Sequence, residues 1–472
     1  MSPWRPRLKL ILLALGVLLL GLTPYPRTVS MAMHQARAHR AAREYGAALA
    51  AYRQAAELIP GSPQPWLGLG EVYLLQHRSA PATVAFLEAQ RRGGGLEGSY
   101  ERSVAALLGL GESYAMRRDW NGAIQGWLRA QALAPDDARV YVALGQANIG
   151  QGQFDQAESY LTQALQLQPS GTEAAAAHAL LGRLLAGDDP ALAAEHFRQA
   201  GDQDMLAVLE TVEAEADPAR RAQLLGIAAL QRNELTLARH HFERAVAQAP
   251  SDAEAPAYLA HTLDQLGETA AAREWLEQAL EQDGNSALVY YFLGTHHRLV
   301  GNVEAAQAAL WQGLLHDPEN AALRAEMARA FEDQSDYPHA EEWYTGAAEA
   351  APSEVDFHLM LVGFYVNHLY RVQEAGLPAA QALVDLVPDD ARAHDLLGWA
   401  YHLAGRQAEA RQSLLRALSL DPDLVTAHYH LGSLYLLTGQ HDRARWHLQR
   451  AADLDTGGYY RGRAEGLLGG LE

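Results

Sequence analysis

The 472-residue sequence contains no cysteine, which excludes disulfide staples, thiolate metal sites and a cysteine nucleophile. Lysine is almost as scarce. Lys9 is the only one among 37 basic residues, so beyond the N-terminus none is available for a Schiff base or for reaching a nucleotide phosphate. Positive charge is short overall. The formal net charge is −20; residues 1–45 hold seven basic residues against Glu44, leaving 30 basic and 56 acidic residues beyond them, a net −26. A body that acidic repels phosphate backbones, which argues against nucleic acid as a partner. With 49% hydrophobic residues there is material for a large core, yet the same length suits an array of small units.

An uncharged apolar run stands at the start. Leu10 to Leu22 follows a basic segment with Arg5, Arg7 and Lys9 and is closed by Thr23, Pro24 and Pro26, the layout of a membrane-targeting segment. The run is shorter than the roughly 20 residues of a full span. Trp4 and Tyr25 are placed for the two interfaces, and Arg7 and Lys9 are placed to snorkel. The alternative is a signal peptide cleaved after Ser30 and Ala32, but that site lies far beyond the apolar run. Residues 1–28 are therefore read as an uncleaved single-pass anchor with the body outside the cytoplasm, even though Arg27, Arg37, Arg40 and Arg43 oppose that orientation.

What fills the chain is a pattern with a period of 34 residues. Numbering each unit from 1, position 8 is glycine at Gly70, Gly111, Gly145, Gly182, Gly226, Gly294, Gly398 and Gly432; position 20 is alanine from Ala48 to Ala444; position 32 is proline at Pro60, Pro135, Pro169, Pro250, Pro318, Pro352 and Pro422. A glycine inside a helix costs roughly 0.5–1 kcal/mol relative to alanine, so its recurrence implies two helices pressed closely together. Large residues at position 24, such as Phe86, Trp127 and Phe242, fill the space between them. The proline ends the second helix. Asp137, Asp252, Asn320 and Asp390 then stand where the next helix needs an N-cap.

Trp66, Leu69, Gly70, Tyr73, Ala82 and Phe86 together resemble the tetratricopeptide-repeat family, and the resemblance extends over about twelve units from residue 29 to 456. It implies an all-α right-handed superhelical solenoid of helix-turn-helix units behind an N-terminal membrane-targeting helix. The expected organisation is an anchor at 1–28, a repeat block at 29–202, an unpaired helix at 203–218, a second block at 219–456 and a capping segment at 457–472. Three stretches depart from the pattern. "RRGGGLEGS" (91–99) is a glycine-rich insertion; "DQDMLAVLETVEAEAD" (202–217) is one amphipathic helix with Met205, Leu206, Leu209 and Val212 on a face; "YRVQEAGLPAAQ" (370–381) lacks the position-20 alanine and adds about two residues. In the tail, Tyr459, Ala464, Leu467 and Leu468 are expected to cover the last helix pair.

Catalytic signatures are not found. "GQANIGQGQF" (145–154) looks like a phosphate-binding loop, but it has no lysine and carries Asp155 where a dinucleotide fingerprint needs glycine. Among 20 histidines, His240 and His241 fall on the expected outer side of a second helix, His296 and His297 on a first helix, and His428 and His430 two residues apart, facing different ways. No H-E-x-x-H spacing and no G-x-S-x-G elbow occurs, and "DPD" (421–423) sits at a position-32 turn. The reading is a non-enzyme with no cofactor and no metal. The family's glycosyltransferase members carry a large domain after their repeats, whereas about sixteen residues follow here; its envelope-assembly members with a zinc knuckle need cysteines.

In the family, partners lie along a concave face lined by positions 2, 5, 9, 12 and 13 of the first helices. Two segments of that face stand out. One is apolar: Leu67, Leu74, Leu108, Met116, Val142 and Ile149, edged by Glu71 and Glu112. The other is aromatic and basic: Tyr291, Arg298, Arg329, Arg392, Trp399, His402 and Tyr429. Aromatic residues with arginine are the usual composition of binding hot spots. The expected function is a scaffold or adaptor that holds protein or peptide partners in this groove at a bacterial membrane. An accessory subunit of an envelope polysaccharide or secretion machine, with an enzyme or a glycan in the groove, is the alternative.

Overall fold

A computed structural model describes residues 27–93 and 99–471. The proposed anchor, apart from its last two residues, and the centre of the glycine-rich insertion lie outside the described residues. Among those described the chain forms 26 α-helices and no strand. None of these helices is long and apolar enough to cross a membrane.

The helices divide between two compact units. The first comprises residues up to Leu133 together with Ala452–Tyr459, and the second comprises Ala134–Ala451 with Tyr460 onward. In the first are α1 (Arg27–Ala41), α2 (Tyr45–Leu58), α3 (Gln64–Leu75), α4 (Ser79–Gly93), α5 (Ser99–Ala115) and α6 (Trp120–Leu133). Next in the chain come α7 (Ala138–Gly150), α8 (Phe154–Leu167), α9 (Thr172–Leu185), α10 (Pro190–Ala200), α11 (Gln203–Ala214), α12 (Pro218–Gln231), α13 (Leu235–Gln248), α14 (Glu254–Leu266), α15 (Thr269–Gln282), α16 (Ala287–Leu299), α17 (Val303–His316), α18 (Ala321–Asp333), α19 (Tyr337–Ala350) and α20 (Val355–Asn367). A π-helical turn, Val372–Gly376, precedes α21 (Leu377–Leu386), α22 (Ala391–Leu403), α23 (Gln407–Leu420), α24 (Val425–Leu437), α25 (His441–Leu454) and α26 (Tyr459–Gly469). Within each unit the chain runs as helix pairs, A then B, and helix A of one repeat touches helix A of the next, as in α3 with α5, α16 with α18 and α22 with α24.

The position-8 glycines explain the pairing. A Cβ built at any of the eight would come within 2.2–2.8 Å of a side chain on helix B of the same repeat: Phe86, Trp127, Leu161, Phe197, Phe242, Leu310, Leu414 or Leu448. Every helix B closed by a position-32 proline ends two residues before it, as Leu58 does before Pro60 and Leu420 before Pro422. Asp137, Asn320 and Asp390 accept hydrogen bonds from the first backbone N–H groups of α7, α18 and α22, and Asp252 accepts from Glu254 and Ala255 N–H at α14.

The turn between A and B uses the left-handed backbone region at position 15 in eleven repeats. Glycine supplies it five times (Gly152, Gly267, Gly301, Gly405, Gly439), while Arg43, His77, Arg118, Asn233, Ser335 and Leu369 adopt φ of 53–59° there. Glycine reaches this region without a Cβ clash and the others do not. Because the non-glycine residues form the majority, this position is invisible as a sequence pattern.

The irregular stretches are accommodated by packing. Helix α11 buries Met205, Leu209 and Val212 in a cluster with Ala186, Phe197 and Leu225, so it is a packed element inside the second unit. The extra residues near 370 are absorbed by the π turn. In the register two residues later, Gly376 stands at position 20, where a Cβ would come 2.9 Å from Tyr365 Cβ. Val362 and Ala380 occupy positions 8 and 24 in one buried cluster, an exchange of the usual small and large partners. In the tail, Ala464 is buried as expected, but Tyr459 is 62% exposed and Arg461 is buried instead. Tyr459, the first residue of α26, is two residues before Arg461 and so points away from the face that Arg461 and Ala464 share.

Candidate functional site

The A-helix face of α14, α16 and α18 is built around buried carboxylates. Glu326 on α18 is 3% exposed and accepts a hydrogen bond from Arg298 Nε on α16 at 3.3 Å and another from Arg329 Nη1. Arg298 also donates to Asp333 at 3.2 Å. Burial, with Glu326 nearby, pushes the Tyr291 hydroxyl upward. Arg298 and Arg329 therefore serve as counter-ions to a desolvated acid, which would be costly to bury alone, and the free cations expected of a hot spot are not found at these two positions. Between α14 and α16, His296 Nδ1 donates to Asp264 at 3.0 Å, with both side chains buried.

The second carboxylate–imidazole pair anchors the α22–α24 face. His430 Nδ1 donates to Asp395 Oδ1 at 2.8 Å, both buried. The His430 ring stacks on Trp399 at 4.2 Å and 14°, and His402 stacks on the same indole at 4.7 Å and 14°. His402 Nδ1 pairs with Gln407 Oε1 at 3.0 Å, and burial holds its pKa below the ordinary value. Tyr429 lies beside Tyr460 at 5.3 Å. Trp399, His402 and Tyr429 are half-buried; Arg392 is exposed and bound to Asp390 at 2.8 Å and Asp356 at 3.5 Å. Of the aromatic and basic residues expected from the sequence, the structure thus gathers Trp399, His402 and Tyr429 and leaves Arg392 paired at the edge.

The apolar candidates fare differently. Leu67 and Leu74 pack against the core of the first unit and Val142 against that of the second. Leu108 and Met116 are half-buried, and the Leu108 carbonyl accepts from Trp127 Nε1 at 3.0 Å. Glu71 is bound to Arg40. Ile149, expected to face the groove, is a core residue at 8% exposure, clustered with Leu237 and Ala229. The reason is tertiary: α7 touches α13 as well as its own neighbours, and Thr236 on α13 donates to Gly150 O at 3.1 Å.

Four of the histidines, His241, His296, His428 and His430, are buried. His241, expected at the surface, is 4% exposed, and burial beside His240 and Arg244 lowers its pKa to about 3. His428 Nε2 donates to Pro422 O at 3.0 Å, which leaves its Nδ1 to accept from His447 Nδ1, also at 3.0 Å. Among the described residues no three His, Cys, Asp or Glu side chains converge as a metal site.

One cleft lies outside the faces expected from the sequence. On the B-helix face, α17 and α19 border a cleft of about 630 Å³ lined by Trp311, Leu314, Arg324, Glu342, Trp343 and Glu349, among others. Trp311 is 52% exposed and meets Trp343 edge-to-face at 6.3 Å. The available signal was a tryptophan at position 25, on a helix face where an array of this kind meets solvent.

Comparison with known families matches a TPR repeat model to residues 398–439 and tetratricopeptide repeat models to 33–97, 138–170, 229–294, 293–355 and 425–456. No curated protein gives a significant match. Among solved structures, the chain is similar to yeast Tom70 (16% identity, covering 86% of this chain and 95% of that one, TM-score 0.43). It is also similar to a tetratricopeptide repeat protein from Parabacteroides merdae (15%, 54% and 98%, 0.41). A third is YrrB, described as a TPR protein with an unusual peptide-binding site (21%, 39% and 95%, 0.32).

Proposed function

Because the chain is a tetratricopeptide-repeat protein, we propose that it acts by holding a partner polypeptide on the A-helix face of α22 and α24, without chemistry of its own. The observation that carries this reading is the stack of Trp399 between His402 and His430, with His430 locked by buried Asp395. An indole fixed in this way offers a large amphipathic contact whose rotamer entropy is already lost, so little is left to lose on binding. Tyr429 widens the platform and Arg392 lies at its rim. Tyr291, Arg298 and Arg329 extend it toward α16 and α18, while Leu67, Leu74, Leu108 and Met116 in the first unit, and Val142 by itself in the second, are weaker apolar candidates.

We locate this activity at a bacterial membrane, with residues 1–28 as the anchor and the body outside the cytoplasm; what supports it is the Leu10–Leu22 run behind Arg5, Arg7 and Lys9. A second reading is a glycan held in place of a polypeptide on the same aromatic residues, Trp399 and Tyr429.

Crosslinking mass spectrometry on the full-length protein in membranes, run beside Trp399→Ala, tests the reading. Loss of one set of polypeptide crosslinks in the variant supports it, and an unchanged set overturns the placement. Recovery of glycan transfers the site to the second reading. For topology, protease added to intact cells removes the body if it is exported, and protection reverses that assignment.

A further inference from the structure

We propose that the cleft between α17 and α19 is a second docking site, on the B-helix face, for a basic segment of a partner protein that carries apolar residues between its arginines or lysines. The two indoles stand at 89° to each other and form a corner. A guanidinium or ammonium laid against such ring faces gains cation–π attraction, and its aliphatic stem covers apolar surface. Leu315, one turn beyond Trp311 on the same helix face and 59% exposed, continues the apolar stripe out of the cleft.

Charge selects the occupant. Arg324 is the cation in the lining, and its guanidinium is already spent: it donates to Gly346 O at 2.9 Å and to Pro318 O at 3.1 and 2.8 Å, and it pairs with Glu319 at 3.1 Å. Glu341 is likewise engaged, by Arg371 and by the Tyr365 hydroxyl, each at 2.7 Å. Glu342 and Glu349, both exposed and seven residues apart on α19, have no ion-pair partner among the described residues. The charge left unanswered at the cleft is therefore negative, next to exposed indole. The volume of about 630 Å³ lies within the roughly 300–1,000 Å³ of specific ligand pockets and admits several side chains, which fits a polypeptide segment better than a single small cation.

The test uses the full chain and a fluorescein-labelled octapeptide of alternating arginine and leucine, followed by anisotropy. Trp311→Ala and the double variant Glu342→Gln/Glu349→Gln should each weaken binding at least about tenfold. Asp155→Asn/Glu158→Gln removes the same charge from exposed positions on α8 and should change binding less than about twofold. Replacing the peptide's leucines by serine should also weaken binding. Equal weakening by the two double variants would reduce the effect to general attraction by an acidic body and overturn the site, as would wild-type affinity in Trp311→Ala. Displacement by tetramethylammonium with no requirement for leucine would reassign the cleft to a small organic cation. Trp311 and both glutamates face solvent, so the variants keep the fold.

Discussion

His430 and Asp395 are 35 residues apart in sequence and 2.8 Å apart in space, both buried between α22 and α24. The pair ties one repeat to the next and holds the ring on which Trp399 stacks. Asp395→Ala leaves a buried imidazole N–H without an acceptor, which costs about 1–3 kcal/mol. Asp395→Asn keeps an acceptor oxygen and should lose less than half of that. Urea midpoints of the two variants check the order, and equal losses would mean that the carboxylate's charge, and not its role as acceptor, holds the ring.

The position-8 glycines make a packing prediction. At Gly145 a Cβ would lie 2.7 Å from Leu161 Cγ and Cδ2, so Gly145→Ala should destabilise by about 1–3 kcal/mol through overpacking. Adding Leu161→Ala should recover part of the loss, because Val362 and Ala380 already put a larger residue at position 8 and a small one at position 24 in one buried cluster. A double-mutant cycle measures the coupling; purely additive losses would sink this account.

Backbone strain at position 15 points the other way. Leu369 has φ of 53° and is 66% exposed, so Leu369→Gly gives up little burial. It should stabilise by up to about 1 kcal/mol, the scale of a non-glycine residue held in the left-handed region. The melting temperature should rise, whereas the matching change at Gly405 (Gly405→Leu) should lower it.

Acid should loosen the fold through its buried imidazoles. Burial, with His428 and Arg443 nearby, lowers the His447 pKa from 6.5 to about 4, and His241 falls to about 3. A folded-state value below the unfolded one means that the neutral ring is favoured in the fold. The associated stability is therefore complete above pH 6.5 and is lost as pH falls from there toward about 4. Thermal melts between pH 7.5 and 4.5, roughly, should show a downward slope that His447→Gln flattens.

The repeat itself was legible because its determinants are local and periodic: glycine opposite a large residue, proline closing helix B, and aspartate or asparagine opening the next helix A. The candidate site was legible only as composition. Trp399 and His402, three residues apart on α22, stack as that spacing allows, whereas the engagement of Arg298 and Arg329 depends on the buried Glu326 of α18, where sequence gives no sign of burial. His296 with Asp264 and His430 with Asp395 were missed for the same reason, since each partner lies about one repeat away.

By itself the sequence determined the secondary structure, the pairing of helices within each repeat and the exclusion of cysteine chemistry and, beyond Lys9, of lysine chemistry, because these depend on residue type and spacing within some 34 positions. Only the tertiary structure decided that Ile149 and His241 are core, that α11 is a packed helix, and that Trp311 and Trp343 share a cleft. Burial of a given helix face depends on which other helices pass over it, and that is set by the stacking of many repeats together.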